Sequence, residues 1–160
     1  MALPQLIAED VRELDRLLGD LVTRSEATAA LIIDKAGFLI SHSGDTSKFD
    51  STTLAALAAG CFAATQGMAS VVNEPNFNSV YQQGELYSLL VQNIEFDTLL
   101  MVVFAAQVSV GAVKYFANST APQAARQFET ARQRAPGMTL DLARMNLEDS
   151  SEFFRKVAQH

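Results

Sequence analysis

The side chains that most often perform chemistry in proteins are scarce in this sequence. It has two histidines, His42 and His160, and one cysteine, Cys61. Neither histidine belongs to a group of Cys, Asp or Glu at metal-ligand spacing, and no Ser-His-Asp set can be assembled around them. Neither GxxxxGK[ST] nor GxGxxG follows an apolar run, so no glycine loop is available to hold a phosphate. The sequence therefore predicts a protein that is not an enzyme and that has no cofactor or metal.

Two other features could be sites but have simpler structural explanations. Cys61 falls among alanines in a helical pattern, where a cysteine is more often an inert small hydrophobic residue than a nucleophile. Residues 41–51 (SHSGDTSKFDS) contain several hydroxyl groups and two aspartates. A solvated loop accounts for these residues better than a binding site does.

Length and charge restrict the classes of partner. A chain of 160 residues, 49% of them hydrophobic, is long enough for one domain with a buried core. The net charge of −6 disfavours a surface that contacts phosphates, so nucleic acid is not expected to bind. A single cysteine cannot form an internal disulfide, and the first residues become acidic before a signal-peptide segment develops, which indicates a cytoplasmic protein.

The longest strongly apolar run covers residues 98–106 and is bounded by Asp97 and Gln107. It has about half the length of a membrane-spanning helix. We therefore interpret it as a buried strand and predict no membrane insertion.

Periodicity predicts an alternation of helices and strands. An amphipathic first helix has apolar residues at helical spacing, namely Leu6, Val11, Leu14, Leu17, Leu18 and Leu21. The turn Asp34-Lys35-Ala36-Gly37 joins two apolar runs and predicts an antiparallel hairpin. Three strand candidates at 77–83, 86–94 and 98–106 form a meander, and the first is polar on both faces, as is typical of an edge strand that is free to pair.

Two helical segments follow the meander. The first begins after Ser109, and Pro122 is expected to kink or interrupt it. After a linker that begins at residue 135, Asp149 or Ser150 can cap a short helix that contains Phe153 and Phe154.

Residues 54–72 (LAALAAGCFAATQGMASVV) predict an alanine-rich helix that Asp50 or Ser51 can cap. At 100° per residue the large side chains and Cys61 form one stripe, which we assign to the core: Leu54, Leu57, Cys61, Met68 and Val72. A second stripe has almost no side chains and points elsewhere: Ala56, Gly60, Ala63, Gly67 and Ser70. On the opposite flank, which also contains Ala59, Phe62 is expected to be at least partly exposed.

The two glycines inside this helix need an explanation, because each costs about 1 kcal/mol relative to alanine. Small residues could let the helix lie close to its own sheet. They could instead leave a bare surface for the backbone of a second protein. We favour the second explanation, since the stripe of large residues is already assigned to the sheet, although the first stays open.

The order of elements, with LIIDKAGFLISHSGD, TTLAALAAGCFAATQGMASVV, VYQQGELYSLLV and LLMVVF, resembles the Roadblock/dynein light chain family over residues 27–131. The resemblance implies an α+β three-layer sandwich with the order α-β-β-α-β-β-β-α. Its five-stranded, mainly antiparallel sheet would have one helix on one face and two on the other. We assign residues 1–134 to this domain and 135–160 to a linker and a short C-terminal helix.

The resemblance also implies a function, since the sequence is most similar to bacterial members that regulate cell polarity and gliding motility. It implies a homodimer in which the edge strand, through Phe77, Ser79, Tyr81 and Gln83, pairs with its twofold mate. A Ras-like small GTPase would bind over the paired alanine-rich helices, and its GTP hydrolysis would be stimulated by reshaping of its own switch loops, without an inserted arginine. The residues expected at this surface are Ala56, Ala59, Gly60, Phe62, Ala63, Gly67 and Ser70.

Three alternatives stay open at this point. Phe153 and Phe154 form either a second docking element for the partner or a short helix that packs on its own sheet. The whole protein could be a scaffold or adaptor dimer that binds partners without activating a GTPase. A sensor of small ligands is the least favoured function, because no set of polar residues converges on a pocket in the sequence.

Overall fold

The computed structural model describes residues 3–95 and 97–134. Within these residues, three helices and five strands follow the predicted order. The helices are α1 (Ala8–Ser25), α2 (Ser51–Val71) and α3 (Val110–Gln133), and the strands are β1 (Ala29–Asp34), β2 (Leu39–Gly44), β3 (Ser79–Gln83), β4 (Tyr87–Glu95) and β5 (Thr98–Ala105). The predicted linker and C-terminal helix, with Phe153 and Phe154, lie outside the described residues.

The five strands form one antiparallel sheet in the order β2-β1-β5-β4-β3. Side chains alternate between its faces, so that Ala30 and Ile32 of β1 join the core beneath α1 and α3, whereas Leu31 and Ile33 join the core beneath α2. The predicted three-layer arrangement is therefore confirmed. It leaves β2 and β3 as the two edges of the sheet.

The predicted hairpin turn joins β1 to β2 and packs against α2. The Gly37 amide donates to the Asp34 carbonyl over 3.0 Å, and Gly37 has a φ of 101°. A Cβ atom at Gly37 would also lie 3.1 Å from the Cα atom of Ala56. Glycine is therefore required here both by the backbone conformation and by the close approach of α2.

Helix α3 continues through Pro122, so the expectation that the proline interrupts the helix is wrong. The proline has no N–H group to donate to the carbonyl of Asn118, four residues earlier. The helix nevertheless continues, because residues on both sides of the proline are buried against α1 and the sheet. These residues are Val113, Ala117, Ala121, Ala124 and Phe128.

Length and composition alone would allow α2 to cross a membrane. In this fold, however, one side of α2 packs on the sheet through Ala55, Ala58 and Phe62. The apolar residues on that side of α2 are therefore part of the protein core.

A buried carboxylate fastens the start of α1 to the end of α3. Asp10 is completely buried and accepts hydrogen bonds from the Arg134 guanidinium at 2.7 and 2.8 Å, from Gln127 Nε2 at 2.7 Å and from the Ile7 amide at 2.8 Å. The hydrogen bonds from Arg134, supported by those from Ile7 and Gln127, lower the pKa of Asp10 from 3.8 to about 2, although burial acts in the opposite direction.

We expect this carboxylate to make the fold sensitive to acid. Because the folded-state pKa lies below the unfolded value, its contribution is present above about pH 4 and is lost as the pH falls towards 2. The lowered pKa corresponds to about 2 kcal/mol of unfolding free energy. Urea unfolding measures the unfolding free energy at pH 7 and at pH 3. The decrease between these pH values should be smaller for Asp10→Asn than for the wild type. An equal decrease in both proteins would show that Asp10 does not cause the sensitivity to acid.

Candidate functional site

The candidate site is built on α2, and Asp50 fixes where that helix begins. The Asp50 carboxylate accepts from the backbone amides of Thr52 and Thr53 at 3.0 and 3.2 Å and from the Thr53 hydroxyl at 2.8 Å. These hydrogen bonds, first that from the Thr53 hydroxyl, lower the pKa of Asp50. Of the two predicted caps, Asp50 is the one that the structure shows.

The side of α2 that faces the sheet differs from the predicted core stripe. Leu57 and Met68 are 66% and 59% exposed, Val72 is also exposed, and Leu54 and Cys61 are only half-buried. The buried residues are mostly small instead: Ala55, Ala58, Ala59, Phe62, Thr65 and Ala69. Alanines at these positions let the helix lie close to β1, so hydrophobicity alone did not identify the inner side of a helix that is apolar nearly all round.

Two residues assigned to the partner surface are therefore inside the protein. Phe62 is 2% exposed and packs in the core with Leu31, Ile33 and Val91. Ala59 is likewise buried. The expectation that Phe62 is a partly exposed aromatic anchor is wrong. As the only aromatic residue in α2, Phe62 was the best available marker of the buried side.

The remaining small residues form an exposed strip, which we call the small-residue strip: Ala56, Gly60, Ala63, Gly67 and Ser70. A Cβ atom added at Gly60 or at Gly67 would meet nothing within 4 Å. The packing of the described residues thus does not require a glycine at either position. Whether this strip binds a partner stays a prediction.

A second exposed strip lies beside the first. This large-residue strip consists of Leu57, Met68, Val71 and Val72, and all of these except Val71 belong to the stripe that the sequence assigns to the core. Next to it, two cavities of about 220 Å³ each share Leu54 and Leu89 in their walls. Since α2 contains no charged residue, its outer surface is an uncharged apolar face, which is typical of a protein interface.

Strand β3 lies at the edge of the sheet, as predicted, and is connected to α2. Gln66 Nε2 donates to the Phe77 carbonyl over 2.7 Å, and Gln82 Nε2 lies 3.7 Å from Cys61 Sγ. All five β3 residues are exposed or half-buried. The edge strand and the outer face of α2 therefore form adjacent parts of one surface.

The backbone of β3 has a regular set of hydrogen-bonding groups that face away from β4. The Asn93 amide donates to the Asn78 carbonyl, so the backbone groups of residue 78 point towards β4. In an antiparallel ladder this orientation alternates, which turns the N–H and C=O groups of Ser79, Tyr81 and Gln83 outward. These three residues belong to the predicted dimer edge, and the fourth, Phe77, is partly exposed just before the strand.

The chemical inventory of the described residues is short. Residues 3–95 and 97–134 contain no group of three or more His, Cys, Asp or Glu side chains that could hold a metal ion. Cys61 is half-buried beside β3, and His42 is exposed in the edge strand β2.

Comparisons with known proteins agree with the architecture. The sequence profile of the Roadblock/LC7 domain matches residues 13–104. MglB from Myxococcus xanthus is 28% identical, with a TM-score of 0.74 over 79% of this chain and 96% of that chain. A structure described as MglB with tetrameric arrangement is 30% identical, with a TM-score of 0.74 over 80% and 96% of the two chains.

A third structure, the gliding protein MglB from Thermus thermophilus, is 29% identical, with a TM-score of 0.73 over 79% of this chain and 96% of that chain. The search of curated proteins found no significant match. The fold is therefore MglB-like over the described domain.

Proposed function

Because this chain belongs to the Roadblock/LC7 domain family, we propose that it is a homodimeric regulator that binds a Ras-like small GTPase of the MglA type and stimulates its GTP hydrolysis. The MglB-like fold supports this proposal over the alternative of a non-activating scaffold. We further propose that it acts in the cytoplasm, in cell polarity or gliding motility.

The observation that carries the proposal is the exposure of Gly60 and Gly67. A helix glycine costs about 1 kcal/mol relative to alanine, and within residues 3–95 and 97–134 no atom lies within 4 Å of a Cβ placed at either one. Close approach by a second protein would explain both glycines, because a switch loop of that protein could then lie directly on the backbone of α2. The regulator would act by favouring one conformation of that loop and would contribute no catalytic group of its own.

Single-turnover GTP hydrolysis by the cognate GTPase, with and without this protein, tests the proposal. We expect the hydrolysis rate to increase with the concentration of this protein and to reach saturation. Saturable binding without any change in rate would identify the scaffold function instead. Absence of binding to the GTPase in both its nucleotide states would overturn the proposal.

The dimer is proposed to form at β3, where outward backbone groups can pair with those of a second copy. The twofold product would have a mass of about 35 kDa by light scattering, twice the 17.3 kDa of the chain. Proline at position 83 would remove an outward N–H group from each copy without disturbing the ladder to β4.

We expect Gln83→Pro to weaken the dimer. Two lost backbone hydrogen bonds, at about 1 kcal/mol each, correspond to an increase of about 30-fold in the dissociation constant. Gln83→Ala is the matched control, because it removes the same side chain but keeps the N–H group. Sedimentation equilibrium would measure both constants, and equal values for the two variants would exclude pairing through the backbone of residue 83.

A further inference from the structure

The face of the sheet opposite α2 contains a polar cleft away from the α2 surface, and it shares Ser79 with the proposed dimer edge. It has a volume of about 460 Å³ and lies between α3 and strands β3 and β4. Cavities of this volume fall within the range of small-molecule sites. The polar residues that line it are Asn78, Ser79, Gln92, Asn93, Lys114 and Asn118, together with Ile94, Ala121 and Pro122.

In two asparagine side chains the amide oxygen accepts a hydrogen bond from a neighbouring amide group, which leaves the NH₂ group to donate to another acceptor. Gln92 Nε2 donates to Asn118 Oδ1 over 3.0 Å, so this hydrogen bond uses neither N–H group of Asn118 Nδ2. In the same way, Asn76 Nδ2 donates to Asn78 Oδ1 over 3.1 Å, which leaves Asn78 Nδ2 as a donor. The cleft therefore offers the Asn118 amide as a donor, in addition to the Lys114 ammonium group and the Ser79 hydroxyl.

One positive charge and no negative charge line this cleft. Lys114 is the one ionisable residue in its walls, in a chain whose net charge is −6. Glu95, which follows the lining residue Ile94, forms an ion pair with Arg132. The Lys114 Nζ atom lies 5.8 Å from the centre of the Tyr81 ring, a contact that favours a defined position for the ammonium group.

We propose that the cleft binds a small organic anion whose carboxylate or phosphate oxygens accept hydrogen bonds from Lys114 and Asn118. Charge-assisted hydrogen bonds to such oxygens are among the strongest that a protein surface makes. The residues that line the cleft come from three separate segments, which is why the sequence alone showed no convergent polar set. This site does not depend on the proposed binding of a GTPase.

Titration of the full chain, followed by the shifts of its backbone amide NMR signals, tests the site. Succinate and inorganic phosphate are the two probes, and sodium chloride keeps the ionic strength constant. We expect saturable shifts at Ser79, Lys114 and Asn118. Saturation by succinate alone identifies a carboxylate site, and saturation by phosphate alone identifies a phosphate site. No saturable shift with either probe overturns the proposal.

Variants distinguish binding of an anion in this cleft from non-specific attraction of anions to other lysines on the surface. Lys114→Gln should weaken binding by about tenfold or more, because it removes the charged donor. Asn118→Asp places a carboxylate of the same size in the cleft and should abolish saturation. Lys48→Gln is the matched control, since Lys48 is exposed in the loop before α2, and it should bind like the wild type. Unchanged affinity in Lys114→Gln and Asn118→Asp would overturn the proposal.

Discussion

Replacement of Gly60 by arginine is expected to reduce stimulation of the cognate GTPase by about 100-fold, which corresponds to about 2.7 kcal/mol of binding free energy. Gly60 lies in the middle of the small-residue strip, and a Cβ atom added there would have no atom of the described residues within 4 Å. The fold should therefore accept the arginine, and the helix should even gain stability because glycine is the poorer helix former. The long side chain would instead hold the partner away from the backbone of α2.

Gly111→Arg is the matched control for this experiment. Gly111 is also an exposed helix glycine, but it lies near the start of α3 on the opposite face of the sheet. The hydrolysis rate is measured with each variant at equal concentration, after circular dichroism has shown equal helix content. Full stimulation by Gly60→Arg would remove the small-residue strip from the mechanism, whereas loss of stimulation in both variants would point to a general effect of added charge.

Truncation of Phe62 to alanine should lower the free energy of unfolding by about 3–5 kcal/mol, the usual cost of removing a buried aromatic side chain. Phe62 is 2% exposed and fills the space between α2 and the sheet beside Leu31 and Ile33. The Lys35 Nζ atom also lies 5.9 Å from the centre of its ring. The effect is therefore expected on stability, before any effect on partner binding.

Tyr115→Ala provides the comparison for Phe62→Ala. Tyr115 is 72% exposed on α3, so its truncation should change the unfolding free energy by less than about 1 kcal/mol. Urea unfolding at pH 7 measures both variants. Equal stability of Phe62→Ala and the wild type would restore Phe62 as a surface residue, contrary to the packing described above.

Several elements could be predicted because short-range physics determines them. The turn from Asp34 to Gly37 requires a residue that tolerates positive φ, and glycine stands at that position. The polar pattern of residues 77–83 identified an edge strand, because a strand exposed on both faces cannot lie in the centre of a sheet. Asp50 is a good helix cap wherever it precedes a helical segment.

The orientation of α2 could not be predicted in the same way. Assignment of the inner side from large side chains assumes that the core takes all of them, but Leu57 and Met68 are exposed on the outer side. A helix that packs closely on a sheet buries alanine, and a helix that also serves an interface exposes leucine and methionine. The polar cleft was missed for another reason, because Asn78, Gln92 and Lys114 are distant in sequence and only the packing of α3 on the sheet brings them together.

The hydrogen bonds between Asp10 and Arg134 also have a consequence for re-engineering the domain. Because Arg134 is held to the first turn of α1, the two ends of the described domain meet at one corner, in the layer opposite α2. A short linker from Arg134 to the segment before Ile7 would close the chain into a circle. New termini opened elsewhere would then give a circular permutant whose α2 surface is left clear for partner assays.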